Sequence, residues 1–184
     1  MNLMPFDEIN RLEASLPEYF EDGRIKSEQD LDLLLDALED LFLLAYATGV
    51  ESANVSLGSD IATDINDVRE TVDRKIAGET WRDRVREYYS NGGTEADIVR
   101  IVETETHRDY NEAALTTARK AGAKSKTWMT MMDDRVRETH DYLQSMTVGI
   151  DEEFYTYDGD HAYAPGGFEL AENNVSCRCT LIFS

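Results

Sequence analysis

Apolar residues return every three or four positions through the first two thirds of the chain, which is the spacing of amphipathic helices. The segment Ser27-Glu28-Gln29-Asp30 resembles a helix start, and the apolar stripe after it consists of Leu31, Leu34, Leu35, Leu38, Phe42 and Ala45. In its second half this helix has little polar face, so it is predicted to be central to the core or buried against a partner. A turn-rich connection is predicted over residues 49–59.

Three further helical segments follow from the same spacing. A short helix over residues 5–20, predicted to act as a docking arm, carries Phe6, Ile9, Leu12 and Leu16 on one face. Another is predicted over residues 61–76, with a break at Gly78 and a continuation over residues 81–89. Thr94 then caps a long helix that ends near Ala121.

The long helix after Thr94 has a carboxylate within its apolar stripe. Ile98, Ile101 and Val102 form the stripe, and Glu105 projects from the middle of the same face. A buried carboxylate needs a partner. Two interpretations stand: a partly exposed glutamate, or a buried one paired with Arg135 or Arg137.

Beyond Gly122 the helical period gives way to strands and turns. A short helix capped by Asp133 or Asp134 is predicted to reach Leu143, with Asp133, Arg137 and His140 on one face. Strands are predicted over residues 126–131, 147–157 and 177–183.

The pattern therefore predicts an α+β protein, with a mostly helical N-terminal part and a small α/β C-terminal module that has a short antiparallel sheet. Gly92-Gly93 is the best internal boundary. We predict an acidic helical docking region over residues 1–93 and a second module over residues 94–184.

Charge narrows the classes of partner. The chain has 38 acidic and 18 basic residues, a net charge of -20, and the acids are spread along it. Such a field repels phosphates, so proteins or cations are expected as partners rather than sequence-specific nucleic acid. With 13 Arg against 5 Lys, the surface also fits a halophilic source. The sequence has no apolar run long enough to predict a membrane span and no basic N-terminal region typical of a secretory signal.

The two cysteines, Cys177 and Cys179, are too close in sequence for a disulfide framework. They are either packed thiols or metal ligands. Together with His140 they are suitable zinc ligands, with His161 or Asp133 as the fourth. A Cys-x-Cys pair on one strand face has its α-carbons roughly 6.6 Å apart. Such a pair can converge on a metal, but its spacing does not require one.

Two other hypotheses use the same region. A cysteine near a histidine and an aspartate has the ingredients of a thiol hydrolase, but the predicted strand lacks the helix N-terminus that would lower a thiol pKa. Alternatively, the polar residues of this region, whose burial costs free energy, form a buried structural network and not a catalytic site. That network consists of Glu105, Asp133, Arg135, Arg137 and His140.

Several separate motifs occur in a fixed order toward the C-terminus. They are Thr104-Glu105, Tyr110-Asn111-Glu112-Ala113, Trp128, Asp133-Asp134-Arg135-Val136-Arg137 with His140, Pro165 and Cys177-Arg178-Cys179. This order resembles the phage Mu F-like head morphogenesis family over roughly residues 95–181. Ser176 departs from the family pattern, in which an asparagine commonly precedes the first cysteine, and the chain is shorter than many members.

The resemblance implies a non-enzymatic minor head protein of a tailed virus or prophage that acts in procapsid assembly. It implies portal or major capsid proteins as partners, self-association as a further contact, and a place in the virion head after assembly in the host cytoplasm. The metal-binding suggestion made for the family carries over to His140, Cys177 and Cys179. Some relatives are fused to toxin or ADP-ribosyltransferase domains. The competing hypothesis is a small metal- or thiol-dependent enzyme that uses the same three residues.

Overall fold

The computed structural model describes residue 11, residues 14–76 and residues 78–184. Its helices are α1 (Glu28–Leu57), α2 (Ile65–Val72), α3 (Trp81–Asn91), α4 (Glu95–Ala121), α5 (Glu138–Asp141) and α6 (Ala171–Asn174). Its strands are β1 (Phe20–Glu21), β2 (Arg24–Ile25), β3 (Ser125–Met129), β4 (Thr147–Gly149), β5 (Phe154–Tyr155), β6 (His161–Ala162) and β7 (Thr180–Phe183). These elements confirm the predicted α+β class.

Half of the helix predicted over residues 5–20 lies outside the described residues, including Phe6, Ile9 and Leu12. Its described end, Leu16–Tyr19, is a single 3₁₀ turn that leads into the β1–β2 hairpin. None of the described helices is long and apolar enough to cross a membrane.

Helix α1 continues through the turn-rich connection that the sequence predicts over residues 49–59. It ends at Gly58, whose φ of 62° forms the left-handed C-cap. Gly49 lies inside the helix because α1 and α4 cross there: a Cβ at Gly49 would be 2.2 Å from the Tyr110 carbonyl oxygen. The prediction of a turn is wrong because this glycine permits close approach of two helices.

Substituting Gly49 by alanine tests this packing. Helix propensity alone would make Gly49→Ala stabilising by about 0.5–1 kcal/mol. Because the added methyl meets a backbone oxygen that cannot rotate away, we expect a net loss of about 1–3 kcal/mol in the free energy of unfolding. Urea denaturation of both proteins measures the difference, and a gain in stability would contradict the close helix crossing.

The first core lies between α1 and the other three long helices. Leu34, Leu38 and Phe42 of α1 are fully buried in it, and Trp81 at the start of α3 meets Phe42 edge to face at 5.0 Å. Thr80 and Asp83 form a capping box that begins α3. The predicted division at residues 93 and 94 stays a prediction, and α4 packs lengthwise on α1 across it.

The C-terminal part contains a three-stranded antiparallel sheet in the order β4-β3-β7. Trp128 of the central strand β3 pairs with Leu181 and points into a second core with Leu143, Phe154 and Phe168. The strand predicted over residues 147–157 is two strands, because the Glu152 carboxylate accepts a hydrogen bond from the Gly149 N–H at 2.8 Å in a turn between them. The cysteines precede β7 and do not lie in it.

Candidate functional site

His140, Cys177 and Cys179 come together in the C-terminal core. The His140 Nδ1 atom lies 3.6 Å from the Cys177 sulfur and 3.5 Å from the Cys179 sulfur. Each of the three residues is at most 3% exposed, and their ligand atoms all lie within 4.8 Å of one another. We call this group the His–Cys–Cys cluster.

Aromatic rings fix the histidine. His140 lies on the one-turn helix α5, where its ring stacks on Phe168 at 5.3 Å and meets the edge of Trp128 at 5.6 Å. On the other side, the Asn111 side chain donates a hydrogen bond to the Cys179 carbonyl at 3.0 Å and so ties the cysteine segment to α4. The cluster is thus held by α4, α5 and β3 together.

Asp160 fixes the loop that carries Phe168. Its carboxylate is nearly buried and accepts hydrogen bonds from the backbone N–H groups of His161, Glu169 and Leu170 and from the Asn173 side chain. These bonds fix the loop that brings Phe168 onto the His140 ring. The sequence Asp158-Gly159-Asp160 is typical of a turn, but its spacing does not show which backbone groups the carboxylate binds.

Protonation within the cluster is asymmetric. The Cys179 thiol donates to the Cys177 sulfur, and His140 lies beside it, which together hold the pKa of Cys177 well below its usual value. The same hydrogen bond, together with burial, raises the pKa of Cys179. The arrangement therefore favours an anionic sulfur at Cys177, the form that a metal or an electrophile requires.

A small cavity of about 10 Å³ adjoins the cluster. Its polar walls are His140, Ser176, Cys179 and three arginines, Arg135, Arg137 and Arg178. The Arg178 guanidinium binds both oxygens of Asp133, at 2.7 and 2.8 Å, and holds the pKa of that carboxyl low, at about 2. Arg137 donates to the Val175 carbonyl, and Arg135 is mostly exposed.

The predicted polar network is divided between two places. Glu105 does not meet Arg135 or Arg137; its two oxygens lie 2.5 Å from Arg84 of α3 and 2.5 Å from Arg108. The pairing is wrong because helical periodicity fixes the face on which Glu105 lies but not the element that covers that face. The interpretation of Glu105 as partly exposed is also wrong, since it is fully buried.

Two further expectations are corrected. Asp133, Arg137 and His140 do not share a helix face, because α5 begins only at Glu138 and Asp133 lies in the preceding turn. His161 lies apart from the cluster, with its Nδ1 atom 3.2 Å from Glu153. Among the described residues, neither His161 nor Asp133 joins the group of donors that lie close enough to share one metal.

The centre of α4 carries a buried charge group that sequence reasoning missed. Arg108 binds Asp109 at 3.0 Å, Glu105 at 2.5 Å and the Thr71 carbonyl at 3.2 Å. Burial raises the pKa of Asp109 to about 8, against the lowering effect of Arg108. The signal was the run 104–111, which has no aliphatic residue although it lies within a long helix; all eight of its residues are buried.

One protein family matches the chain over most of this region. The family described as Phage Mu protein F like protein matches residues 58–182, more than half of the chain. The chain belongs to the Phage Mu protein F like family. The match begins upstream of the residues that carry the resemblance in the sequence and includes α2, α3, α4 and the C-terminal part as far as Ile182.

Of two curated relatives of this Mu F-like chain, one is named as an enzyme and the other as a minor head protein. The NAD(+)--arginine ADP-ribosyltransferase EFV of Enterococcus faecalis (strain ATCC 700802 / V583) is 33% identical over 110 residues, covering 50% of this chain and 22% of that protein. The minor head protein GP7 of Bacillus phage SPP1 is 32% identical over 83 residues, covering 44% of this chain and 27% of that protein. The chain therefore spans about a quarter of the length of these relatives. No solved structure matches it.

Proposed function

We propose that the protein is a minor head protein of a tailed virus or prophage that acts as a structural component in head assembly. The observation that carries this is the Mu F-like match over residues 58–182, together with the similarity to a relative named minor head protein. Its place is the virion head, after assembly in the host cytoplasm, and its partners are the portal protein, the major capsid protein or both. In this proposal, copies of the chain also associate with one another.

The exposed face of α1 supports a protein partner. This helix precedes the matched segment and contains seven acidic residues and no Lys or Arg. Its solvent-facing stripe, at intervals of three or four residues, consists of Leu33, Asp36, Asp40, Leu44, Ala47, Glu51 and Val55. Leucine and valine side chains alternating with carboxylates fit a partner surface that is both apolar and basic. We call these seven residues the α1 stripe.

A lysine within the α1 stripe tests the docking. Leu44→Lys removes an exposed apolar contact and reverses the local charge that a basic partner would meet, so we expect about tenfold less protein in purified procapsids. Quantitative mass spectrometry of the particles measures the copy number. Ile65→Lys is the matched control, because Ile65 is an exposed apolar residue of α2 outside the stripe, at 60% exposure.

The two possible failures are distinct. Absence of the unmodified protein from both procapsids and virions would refute the structural role itself. Normal incorporation of the Leu44→Lys protein would refute only the α1 stripe as the docking face.

We propose further that the chain has no enzymatic activity of its own. The support is the small space around the cluster. Trp128 and Phe168 pack on His140, and the cavity lined by His140 and Cys179 has a volume of about 10 Å³. A substrate larger than a water molecule does not fit there. Because EFV carries the name of an ADP-ribosyltransferase, transfer from labelled NAD⁺ to an arginine acceptor is the assay that decides. Turnover that disappears in Cys177→Ser and His140→Ala proteins would favour the thiol- or metal-dependent enzyme.

We infer that the His–Cys–Cys cluster holds a zinc ion. Zinc–sulfur bonds of about 2.3 Å and zinc–nitrogen bonds of about 2.0 Å in a tetrahedron separate nitrogen from sulfur by about 3.5 Å. The observed separations from His140 Nδ1 are 3.6 and 3.5 Å, so both nitrogen–sulfur pairs match this geometry. Bound there, the metal would cross-link α5 to the segment before β7 and so fix the C-terminal core.

Metal content checks this inference. Protein purified under reducing conditions is expected to contain about one zinc per chain by elemental analysis, and Cys177→Ser should lower that content at least about tenfold. His161→Ala is the matched control, because the structure keeps His161 outside the cluster, paired with Glu153. Loss of zinc from the His161→Ala protein would contradict the assignment of the ligands. Absence of metal from the unmodified protein would refute the site.

A further inference from the structure

Two exposed tyrosines lie against each other on the surface of the C-terminal part. Tyr142 lies at the end of α5 and Tyr157 in the turn after β5, with ring centroids 6.0 Å apart and ring planes at 88°. Tyr142 is 54% exposed and Tyr157 is 59% exposed. We call these two residues the tyrosine pair. Tyrosine is enriched in the contact surfaces of protein complexes, so such a pair is typical of a surface that binds another protein.

The backbone beneath the tyrosine pair is fixed by buried neighbours. Leu143, which follows Tyr142, is fully buried, and Thr156, which precedes Tyr157, is buried as well. The Thr156 N–H donates a hydrogen bond to the Asp160 carbonyl at 2.9 Å and so closes the turn that carries Tyr157. Because the two segments are already ordered, a partner loses little free energy in arranging them when it binds.

The surface around the tyrosine pair is acidic. Residues 138–177, which we call the acidic segment, contain nine Asp and Glu residues and no Lys or Arg. Asp141 precedes Tyr142 in the chain, Asp158 follows Tyr157, and Glu138 lies one helical turn before Tyr142; all three are exposed. Within the part of the chain that the structure describes, none of these three carboxylates has an ion pair and no Lys or Arg lies over either ring.

An arginine of the same chain shows how the acidic segment binds a cation. The Arg119 guanidinium of α4 lies 5.3 Å from the centre of the Tyr163 ring, and its Nε atom lies 3.0 Å from an Asp151 oxygen. Both partners of Arg119 belong to the acidic segment. A planar guanidinium can pack on an aromatic face and pair with a carboxylate at the same time, whereas the compact, strongly hydrated ammonium group of lysine does so less well.

We propose that the tyrosine pair is a docking site for an arginine of a partner protein, whose guanidinium packs on a tyrosine ring and pairs with a neighbouring carboxylate. Charge complementarity determines the chemistry of this partner, because an aromatic and acidic surface attracts a basic segment and repels an acidic one. The tyrosine pair lies within the matched residues 58–182, whereas the α1 stripe precedes them. It is therefore a second contact surface, and its occupancy does not depend on the docking of α1.

The test uses the full chain and two synthetic peptides, hexa-arginine and hexalysine, with affinities measured by titration calorimetry at an ionic strength of about 0.15 M. Because the peptides carry the same charge, attraction to the acidic surface alone would give equal affinities. We expect hexa-arginine to bind at least about threefold more tightly than hexalysine. Replacing both rings, Tyr142→Leu with Tyr157→Leu, should weaken hexa-arginine binding about fivefold or more and leave hexalysine binding within about twofold.

Tyr155→Leu is the matched control. It makes the same change at a tyrosine that is 56% exposed but whose ring already lies 5.3 Å from the ring of His161. Its affinity for hexa-arginine should equal that of the unmodified protein. Both rings of the tyrosine pair are exposed, so the double variant should keep the urea midpoint of the unmodified protein.

Three outcomes would overturn the docking site. Equal affinity of the unmodified protein for the two peptides would show that charge alone attracts them, and this comparison needs no variant. Unchanged hexa-arginine binding in the double variant, or equal weakening in Tyr155→Leu, would show that the peptide does not bind at the tyrosine pair. None of these results bears on the incorporation of the chain into procapsids, which tests the minor head role separately.

Discussion

Replacing Arg108 by leucine should destabilise the folded chain by about 3–5 kcal/mol. The Arg108 side chain is 3% exposed and is the shared partner of two buried carboxylates, Glu105 and Asp109. Its removal leaves Asp109 without its guanidinium and Glu105 with Arg84 alone. Water cannot reach either carboxylate to compensate, because both residues are fully buried.

Urea denaturation monitored by tryptophan fluorescence measures this change. Arg100→Leu is the matched control on the same helix, because that side chain is 55% exposed and its pair with Asp97 is long, at 3.4 Å; it should change stability by less than about 1 kcal/mol. A second variant separates charge from packing. Adding Glu105→Gln and Asp109→Asn to Arg108→Leu removes the two buried carboxyl groups that lost their partner and should restore part of the stability. No restoration would show that lost packing dominates.

The regular helices could be predicted from the sequence because their apolar residues repeat at one period. Leu34, Leu38 and Phe42 all lie in the core as their spacing predicts. The position of Glu105 on a buried face was predictable for the same reason. Periodicity is a property of one element alone, so it shows which face is buried and does not show what covers it. The pairing of Glu105 with Arg84 and Arg108 therefore required the structure.

The His–Cys–Cys cluster was only partly predictable. Residue chemistry identified His140, Cys177 and Cys179 as donors, and the structure places them together. Residue chemistry also identified His161 as a donor, but His161 lies on the β5–β6 hairpin, pairs with Glu153 and is not part of the cluster. Local spacing could not separate these two histidines, because the distance from each to the cysteines depends on how α5 and the hairpin pack on Trp128 and Phe154.

Gly49 shows a different limit of sequence reasoning. A glycine within an apolar pattern indicates either a turn or a close approach of two backbones, and the sequence alone does not distinguish them. Here the deciding fact is the Tyr110 carbonyl on another helix, about sixty residues later in the chain. Such long-range contacts leave no local trace, which is why the predicted connection over residues 49–59 was wrong and α1 continues to Leu57.

Trp128→Ala should lower the free energy of unfolding by about 3–5 kcal/mol and also weaken the metal site. Trp128 is fully buried at the centre of the C-terminal core, where its ring meets Phe154 at 5.1 Å, Phe168 at 5.5 Å and His140 at 5.6 Å. Because the indole is one wall of the histidine pocket, its loss frees the His140 ring to leave the geometry that faces both sulfurs. The expected second result is a zinc content that falls together with stability.

Trp81→Ala provides the comparison that separates these two effects. Trp81 is equally large and 1% exposed, but it lies in the first core against Phe42, away from the cluster. It should cost a similar free energy of unfolding, measured by urea denaturation, while elemental analysis of the folded protein finds zinc unchanged. Equal zinc loss in both variants would mean that the metal follows global stability alone. Loss confined to Trp128→Ala would show that the indole holds His140 in place for the metal.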